Sequence, residues 1–295
     1  MWQRFHVLAV LSATIGAMSV RSLSATTRTS WEEVLVGNDK SKASLSTPTT
    51  VASSMSQRLK AGESILLLHD VMTLQECKRL SRQCIAAAAV AQERHDKHDN
   101  VDKQQQQHQP CLMRLPTIAS AQRALRTNTP CATALPADVS RSVDDMLLRV
   151  ATFLDDELPN VVNDLFGTNV ALQPLLQKSM APQQTHTQDG GPGLQFASRE
   201  PAVNIYRKGG EFLAHTDGQV LTVLAPLTAP KVDFQGGGTA FWDPDARGHR
   251  VTPPSLVLTP PPGTALLFGG TVTHAGLPVT TGTRTVVVAS FSTSY

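Results

Sequence analysis

The sequence predicts an α+β protein, mainly β: a double-stranded β-helix, or jelly roll, braced by helices from the N-terminal half. Three observations lead there. From residue 201 onward short apolar runs follow one another (AVNIY, FLAHTD, VLTVLA, GTAFW, SLVL, TALLF, TVVVASF), cut apart by turn segments such as RKGG, FQGGG, DPDARG and TPPPG. Short strands with this Gly/Pro/Asp punctuation are the pattern of a closed or sandwiched antiparallel sheet. Aromatic residues make up only 5% of the chain whereas Gly and Pro number 19 each, which favours a turn-rich β architecture over a helical bundle. Helical periodicity, in contrast, is strongest ahead of Pro159. The 295 residues suffice for a sizeable core, and a net charge of +2 gives no argument for a nucleic-acid partner.

Residues 1–25 read as a targeting leader. Arg4 precedes the apolar stretch VLAVLSATIGAMSV, which is too short to span a bilayer comfortably and resembles a secretory signal. The first acidic residue is Glu32, and Arg4, Arg21 and Arg28 stand among many Ser and Thr, so an organellar transit peptide stays open. Residues 26–58 read as a Ser/Thr-rich linker. The folded domain is expected over 59–295 and opens on a short apolar strand in ESILLLHD (63–70).

A helix follows, with Thr73 and Glu76 of TLQE placed as a capping box and Cys77, Leu80, Cys84 and Ala86–Ala89 on its apolar face. Residues 93–110, ERHDKHDNVDKQQQQHQP, form a polar low-complexity insertion; its His95, His98 and His108 read as part of a solvated loop rather than a metal site. A second helix is expected over 139–158, with Val143, Leu147, Val150 and Leu154 on one face and Pro159 as its stop. Residues 178–193 lack periodicity. Covering the active-site mouth and lying inert on the surface are both open to them.

Cys77, Cys84, Cys111 and Cys131 show no CxxC spacing, which argues against a zinc knuckle or a thioredoxin-type site. Cys77 and Cys84 lie two turns apart on one helix, about 10 Å of rise, too far to bond each other. Disulfides in another pairing and buried free thiols both remain open. Neither a G-x-S-x-G elbow nor a phosphate-binding G-x-x-x-x-G-K-[ST] loop occurs.

The chemistry concentrates in NIYRKGGEFLAHTD (204–217) and in THAGLPVTTGTRTVVVASF further on. Side chains alternate along a strand, so His215 and Asp217 project to one side. The second segment adds His274 and Arg284. Two imidazoles and one carboxylate converging on a point form a facial triad, which suits Fe(II) and leaves about half its coordination sphere open. Arg284 shares a strand face with Val286 and Val288, at the mouth of an apolar interior where an unpaired cation would be costly. Its planar fork suits a carboxylate. Phe241 and Trp242 are expected in the core, and Thr239 reads as a plain strand threonine ahead of a pocket-lining one. His69, His186 and His249 show no ligand geometry.

Tyr206 with Gly209, His215 with Asp217, Gly237 with Thr239, then His274 and Arg284 stand in the order that resembles the catalytic domain of the prolyl 4-hydroxylase-like 2-oxoglutarate/Fe(II)-dependent dioxygenases. The resemblance is dense over 200–295 and thinner over 63–170. It implies His215, Asp217 and His274 as iron ligands, Arg284 holding the distal carboxylate of 2-oxoglutarate, and Tyr206 donating its hydroxyl to that group. It further implies O2 as co-substrate, L-ascorbate as reductant, and hydroxylation of a C–H bond, foremost in a peptidyl proline, with release of succinate and CO2. Collagen-type members usually carry Lys where Arg284 stands, which leaves the co-substrate intact and the substrate open.

A peptide or protein substrate, no nucleic acid, no stable membrane span and a partner subunit in the ER follow as expectations. The chain ends FSTSY without a retention signal. The expected location is the ER lumen or the secreted fraction, or another organelle if the leader is a transit peptide. Two rivals use the same residues: a non-catalytic jelly-roll binding module and a zinc hydrolase. Neither needs a carboxylate-binding Arg284.

Overall fold

The computed structural model describes residues 29–36, 54–98, 112–126, 134–180, 193–244 and 253–294. The N-terminal half forms β1 (Trp31–Leu35), α1 (Met55–Ala61), β2 (Ser64–Leu68), α2 (Leu74–His98), β3 (Leu112–Pro116), α3 (Ile118–Arg126), α4 (Ala137–Glu157), α5 (Pro159–Phe166) and α6 (Leu172–Met180). The C-terminal half contributes the strands β4 (Gly193–Phe196), β5 (Ala202–Tyr206), β6 (Phe212–His215), β7 (Leu221–Pro226), β8 (Phe234–Gly236), β9 (Thr239–Trp242), β10 (Leu256–Leu258), β11 (Ala265–Gly269), β12 (Thr273–Gly276), β13 (Val279–Gly282) and β14 (Arg284–Ser294).

Pairing is antiparallel within the named sheets. The major sheet runs β1-β2-β11-β7-β14-β5-β3, with β4 also paired to β14; a minor sheet runs β10-β9-β12-β6; β13 and β8 form a third ribbon. Apolar runs rather than alternating ones build the major sheet because both of its faces are covered. On β14, Val286 and Val288 join a cluster with Phe241 and Phe268 between the sheets, while Val287 and Ala289 face the opposite way into the helical core. The fold is thus the expected jelly roll with supporting helices.

Helix α4 explains the bracing. Val143, Leu147, Val150 and Leu154, the predicted stripe, are all buried against Val203, Val223 and Val287 of the major sheet's outer face. Pro159 stops α4 as expected, but it also occupies the first turn of α5, where its missing N–H costs nothing. The predicted capping box of α2 is present: Glu76 accepts from the Thr73 N–H at 2.7 Å and Thr73 Oγ1 accepts from the Glu76 N–H at 3.2 Å. Cys77 and Cys84 on this helix are buried free thiols, pushed by desolvation to pKa values of about 11 and about 12, so neither is a nucleophile at neutral pH.

Three expectations need correction. The linker assigned to 26–58 contains structure: β1 pairs antiparallel with β2, and α1 begins within it on a Ser54/Gln57 capping box. Arg58 ties the two together by donating from Nε to Glu33 at 2.9 Å. The insertion assigned to 93–110 starts inside α2, which continues to His98. The segment 178–193 likewise begins as the end of α6 and finishes on β4, which pairs with β14. The remainder of both segments lies outside the described residues, as do the leader, Cys111, Cys131, His6, His108, His186 and His249.

One half-buried acid has a pH consequence. Asp144 on α4 has a buried Oδ1 without a hydrogen-bond partner among the described residues. Burial, then the charge of Asp145, push its pKa up to about 7 against the pull of Arg123. The folded state therefore keeps a proton that the unfolded chain releases near pH 3.8, and the carboxyl destabilises the fold increasingly as pH rises from there to about 7. Asp144→Asn is expected to raise the melting temperature at pH 8 by a few degrees, about 1 kcal/mol after solvent screening, and to have little effect at pH 4; thermal denaturation at the two pH values checks it.

Candidate metal centre and co-substrate cleft

The pairing of β6 with β12 assembles the centre. His215 at the end of β6 and His274 on β12 are cross-strand partners, and their ring centroids lie 4.3 Å apart. Asp217 follows β6 and turns its carboxylate toward both: Oδ1 is 3.2 Å from His215 Nε2 and Oδ2 is 3.6 Å from His274 Nε2. The ligand atoms of all three lie within 4.8 Å of one another. The side chains expected to converge do converge.

Each imidazole is presented in the form a metal needs. His215 Nδ1 lies 2.8 Å from the Leu213 carbonyl and His274 Nδ1 lies 3.2 Å from that of Val272. A carbonyl only accepts, so each ring donates from Nδ1 and turns Nε2, the nitrogen a metal would take, toward Asp217. Burial holds the buried His274 below the usual histidine range, against the pull of Asp217, and so keeps it neutral. Burial also pushes Asp217 up, but His215, the charge of His274 and Thr222 outweigh it, and the carboxylate sits below its ordinary range. His215 is drawn down by burial and up by Asp217 and the Leu213 carbonyl, with a net rise. Two neutral-capable imidazoles and an anionic oxygen fit a divalent iron.

Thr222 on β7 orients this carboxylate by donating from Oγ1 to Asp217 Oδ2. It is a fully buried hydroxyl in an otherwise apolar strand. That polar interruption of VLTVLA was a signal in the sequence, and it was not read as one.

The triad opens into a cleft of about 390 Å³, counting the part open to solvent, whose walls include Tyr206, Thr239, Arg284, Val286 and Val288. Such a volume suits a small ligand. Arg284 is 4% exposed and reaches the cleft from β14. Its Nη2 donates to Thr239 Oγ1 at 2.9 Å, and its Cζ stands 5.2 Å from the centre of the Tyr206 ring. Of the two readings open to Thr239, pocket lining and a plain strand threonine, the first is the one the structure shows, with the hydroxyl part of the arginine's setting. Burial pulls this guanidinium below its ordinary range, and no carboxylate among the described residues pairs with it. A cation so placed fits an anionic ligand.

Glycine makes room for both groups. A Cβ at Gly237, which has φ of +66°, would stand 2.9 Å from the Phe234 ring and 3.2 Å from Arg284 Cδ. A Cβ at Gly276 would meet Tyr206 Cε1 and Oη at 3.3 Å. Of the remaining expectations, Phe241 and Trp242 are core residues, and His69 sits 3.4 Å from the Glu32 carboxylate, remote from the triad residues in the fold. Arg114 on β3 and Asn204 on β5 also line the cleft and escaped sequence reading.

The two-histidine, one-carboxylate cluster is a donor set that suits non-haem Fe(II), and a buried arginine stands beside it. Residues 201–292 match the family model of the 2OG-Fe(II) oxygenase superfamily, which implies Fe(II), 2-oxoglutarate and O2. The resemblance read from the ordered motifs thus holds over the segment that carries the site. No curated protein sequence matches the chain. Among solved structures, the chain is similar to a viral collagen prolyl hydroxylase from Paramecium Bursaria Chlorella virus-1 in its 2OG complex (14% identity, 79% of this chain and 97% of that one, TM-score 0.41). It is also similar to a rice dioxygenase for auxin oxidation (18%, 79% and 74%, 0.44) and to a Pseudomonas putida prolyl-4-hydroxylase (13%, 77% and 91%, 0.38). Among the described residues no helix is long and apolar enough to cross a membrane.

Proposed function

We propose that this oxygenase hydroxylates a C–H bond, foremost in a prolyl residue of a peptide or protein, and converts 2-oxoglutarate to succinate and CO2. The convergence of His215, Asp217 and His274 in one cleft with the buried, carboxylate-free Arg284 carries this reading. His215, Asp217 and His274 would hold the iron. Arg284 binds the distal carboxylate of 2-oxoglutarate through its planar fork, with Thr239 fixing the guanidinium and Tyr206 donating a hydroxyl to the same carboxylate. The apolar wall of Leu224, Val286 and Val288 keeps water from the bound co-substrate and strengthens that ion pair. When bound, the iron supplies the redox chemistry with O2, while the protein supplies position and exclusion.

The order of motifs from Tyr206 to Arg284 supports the prolyl substrate and L-ascorbate as reductant. The composition of residues 1–25 supports routing to the secretory pathway, with a partner subunit in the ER. Purified protein given Fe(II), 2-oxoglutarate and ascorbate is expected to form succinate, faster with proline-rich peptides that gain one oxygen by mass, and to stop on chelation. Succinate without peptide oxidation would reject the prolyl substrate; no succinate under any condition, with metal bound, would reject the enzyme.

A further inference from the structure

Two hydrogen bonds behind the cleft can be read in one direction only. Arg114 Nε donates to Asn204 Oδ1 at 2.9 Å, and Asn204 Nδ2 donates to Tyr206 Oη at 3.2 Å. A guanidinium has no acceptor, so Asn204 must turn its oxygen to Arg114 and its NH2 to Tyr206. An amide NH2 has no acceptor either, so the tyrosine oxygen accepts and its own proton must point elsewhere. Asn204 is 3% exposed and Tyr206 5%, and both line the cleft. No acceptor for that hydroxyl proton stands among the described residues.

The far end of the chain is anchored as firmly. Arg114 Nη1 donates to Glu200 Oε1 at 3.1 Å, and Glu200 Oε2 accepts from the Ser290 N–H and hydroxyl at 2.6 and 2.7 Å. Ser290 lies on β14, the strand that carries Arg284. The same β-strand therefore sets both the arginine and, through Glu200, Arg114 and Asn204, the tyrosine beside it.

We infer that Arg114 and Asn204 are positioning residues that force the Tyr206 hydroxyl to donate into the cleft, onto the 2-oxoglutarate carboxylate held by Arg284. The inference rests on the reading of Arg284 as the co-substrate's anchor. It gives the buried Asn204 a function: with a carboxylate in its place, the polarity of the last bond would reverse. An aspartate at this position has the same shape but accepts from both neighbours, and it would take the tyrosine proton out of the cleft.

The test is a double-mutant cycle read by anaerobic calorimetry of 2-oxoglutarate binding to the Mn(II)-loaded protein. Tyr206→Phe is expected to weaken binding about tenfold, as loss of one hydrogen bond to a charged group does. Asn204→Asp should weaken it by at least as much in the wild-type background and by less than about twofold in Tyr206→Phe. An additional negative charge acting directly on the dicarboxylate would lower affinity equally in both backgrounds, and that result overturns the inference. Asn204→Ala serves if the aspartate variant does not fold: its smaller loss must also vanish in Tyr206→Phe. Steady-state kinetics should show KM for 2-oxoglutarate raised with kcat little changed. If wild-type protein binds no 2-oxoglutarate, or binds it equally well as Arg284→Met, the co-substrate reading fails; if Arg284 matters and Asn204 does not, only the relay fails.

Discussion

Asp217→Ala is expected to lower turnover by a factor well above a hundred while leaving the jelly roll folded. Removing a group that merely supports a metal ligand already costs ten- to a hundredfold, and Asp217 provides the anionic oxygen within the cluster itself. The remaining pair, His215 and His274, are neutral donors on adjacent strands and offer a divalent ion no charge compensation. The side chain lines the open cleft, so its truncation enlarges that cleft rather than creating a sealed cavity in the core. Succinate release by the variant, set against its far-ultraviolet circular dichroism, checks both halves of the statement.

Arg284→Met is expected to raise the Kd for 2-oxoglutarate by about two orders of magnitude, because truncating one partner of a buried, hydrogen-bonded charge pair costs about 2–5 kcal/mol. Metal binding should be retained, since the guanidinium touches Thr239 and Tyr206 rather than the triad. The protein without co-substrate should not lose stability. A 4%-exposed guanidinium with no carboxylate among the described residues is costly to bury, and methionine fills much of its volume with apolar atoms. Arg284→Lys restores a charge but not the fork, so an intermediate Kd is expected. Equilibrium binding of labelled 2-oxoglutarate to the three proteins separates these outcomes. An unchanged Kd in the methionine variant would remove the arginine from the site.

Much of this site was legible in the sequence because its parts are local or strictly alternating. Arg284 shares a strand face with Val286 and Val288, as alternation predicts, whereas β6 ends at His215 and Asp217 lies just beyond it, so the alternation rule found the right pair although the second residue is not on the strand. His274 could be placed only through the order of motifs, since its cross-strand pairing with His215 joins segments far apart in the chain. The helices α2 and α4 announced themselves by a capping box and an apolar stripe. In contrast, β1 carries two glutamates in five residues, and nothing local says that it will add to the edge of β2. Helix α1 was legible in its Ser54/Gln57 capping box and was overlooked beside a Ser/Thr-rich tract. Arg114 is the hardest case. Its role comes from register with Asn204 across β3 and β5, a tertiary fact that no residue of LMRLP encodes by itself.

Metal analysis after anaerobic reconstitution shows whether the three side chains grip one ferrous ion. Wild-type protein is expected to retain about one Fe(II) per chain after desalting, with the retained iron lost in both His274→Ala and Asp217→Ala. Retention at the wild-type level in either variant would place the metal elsewhere and contradict the account.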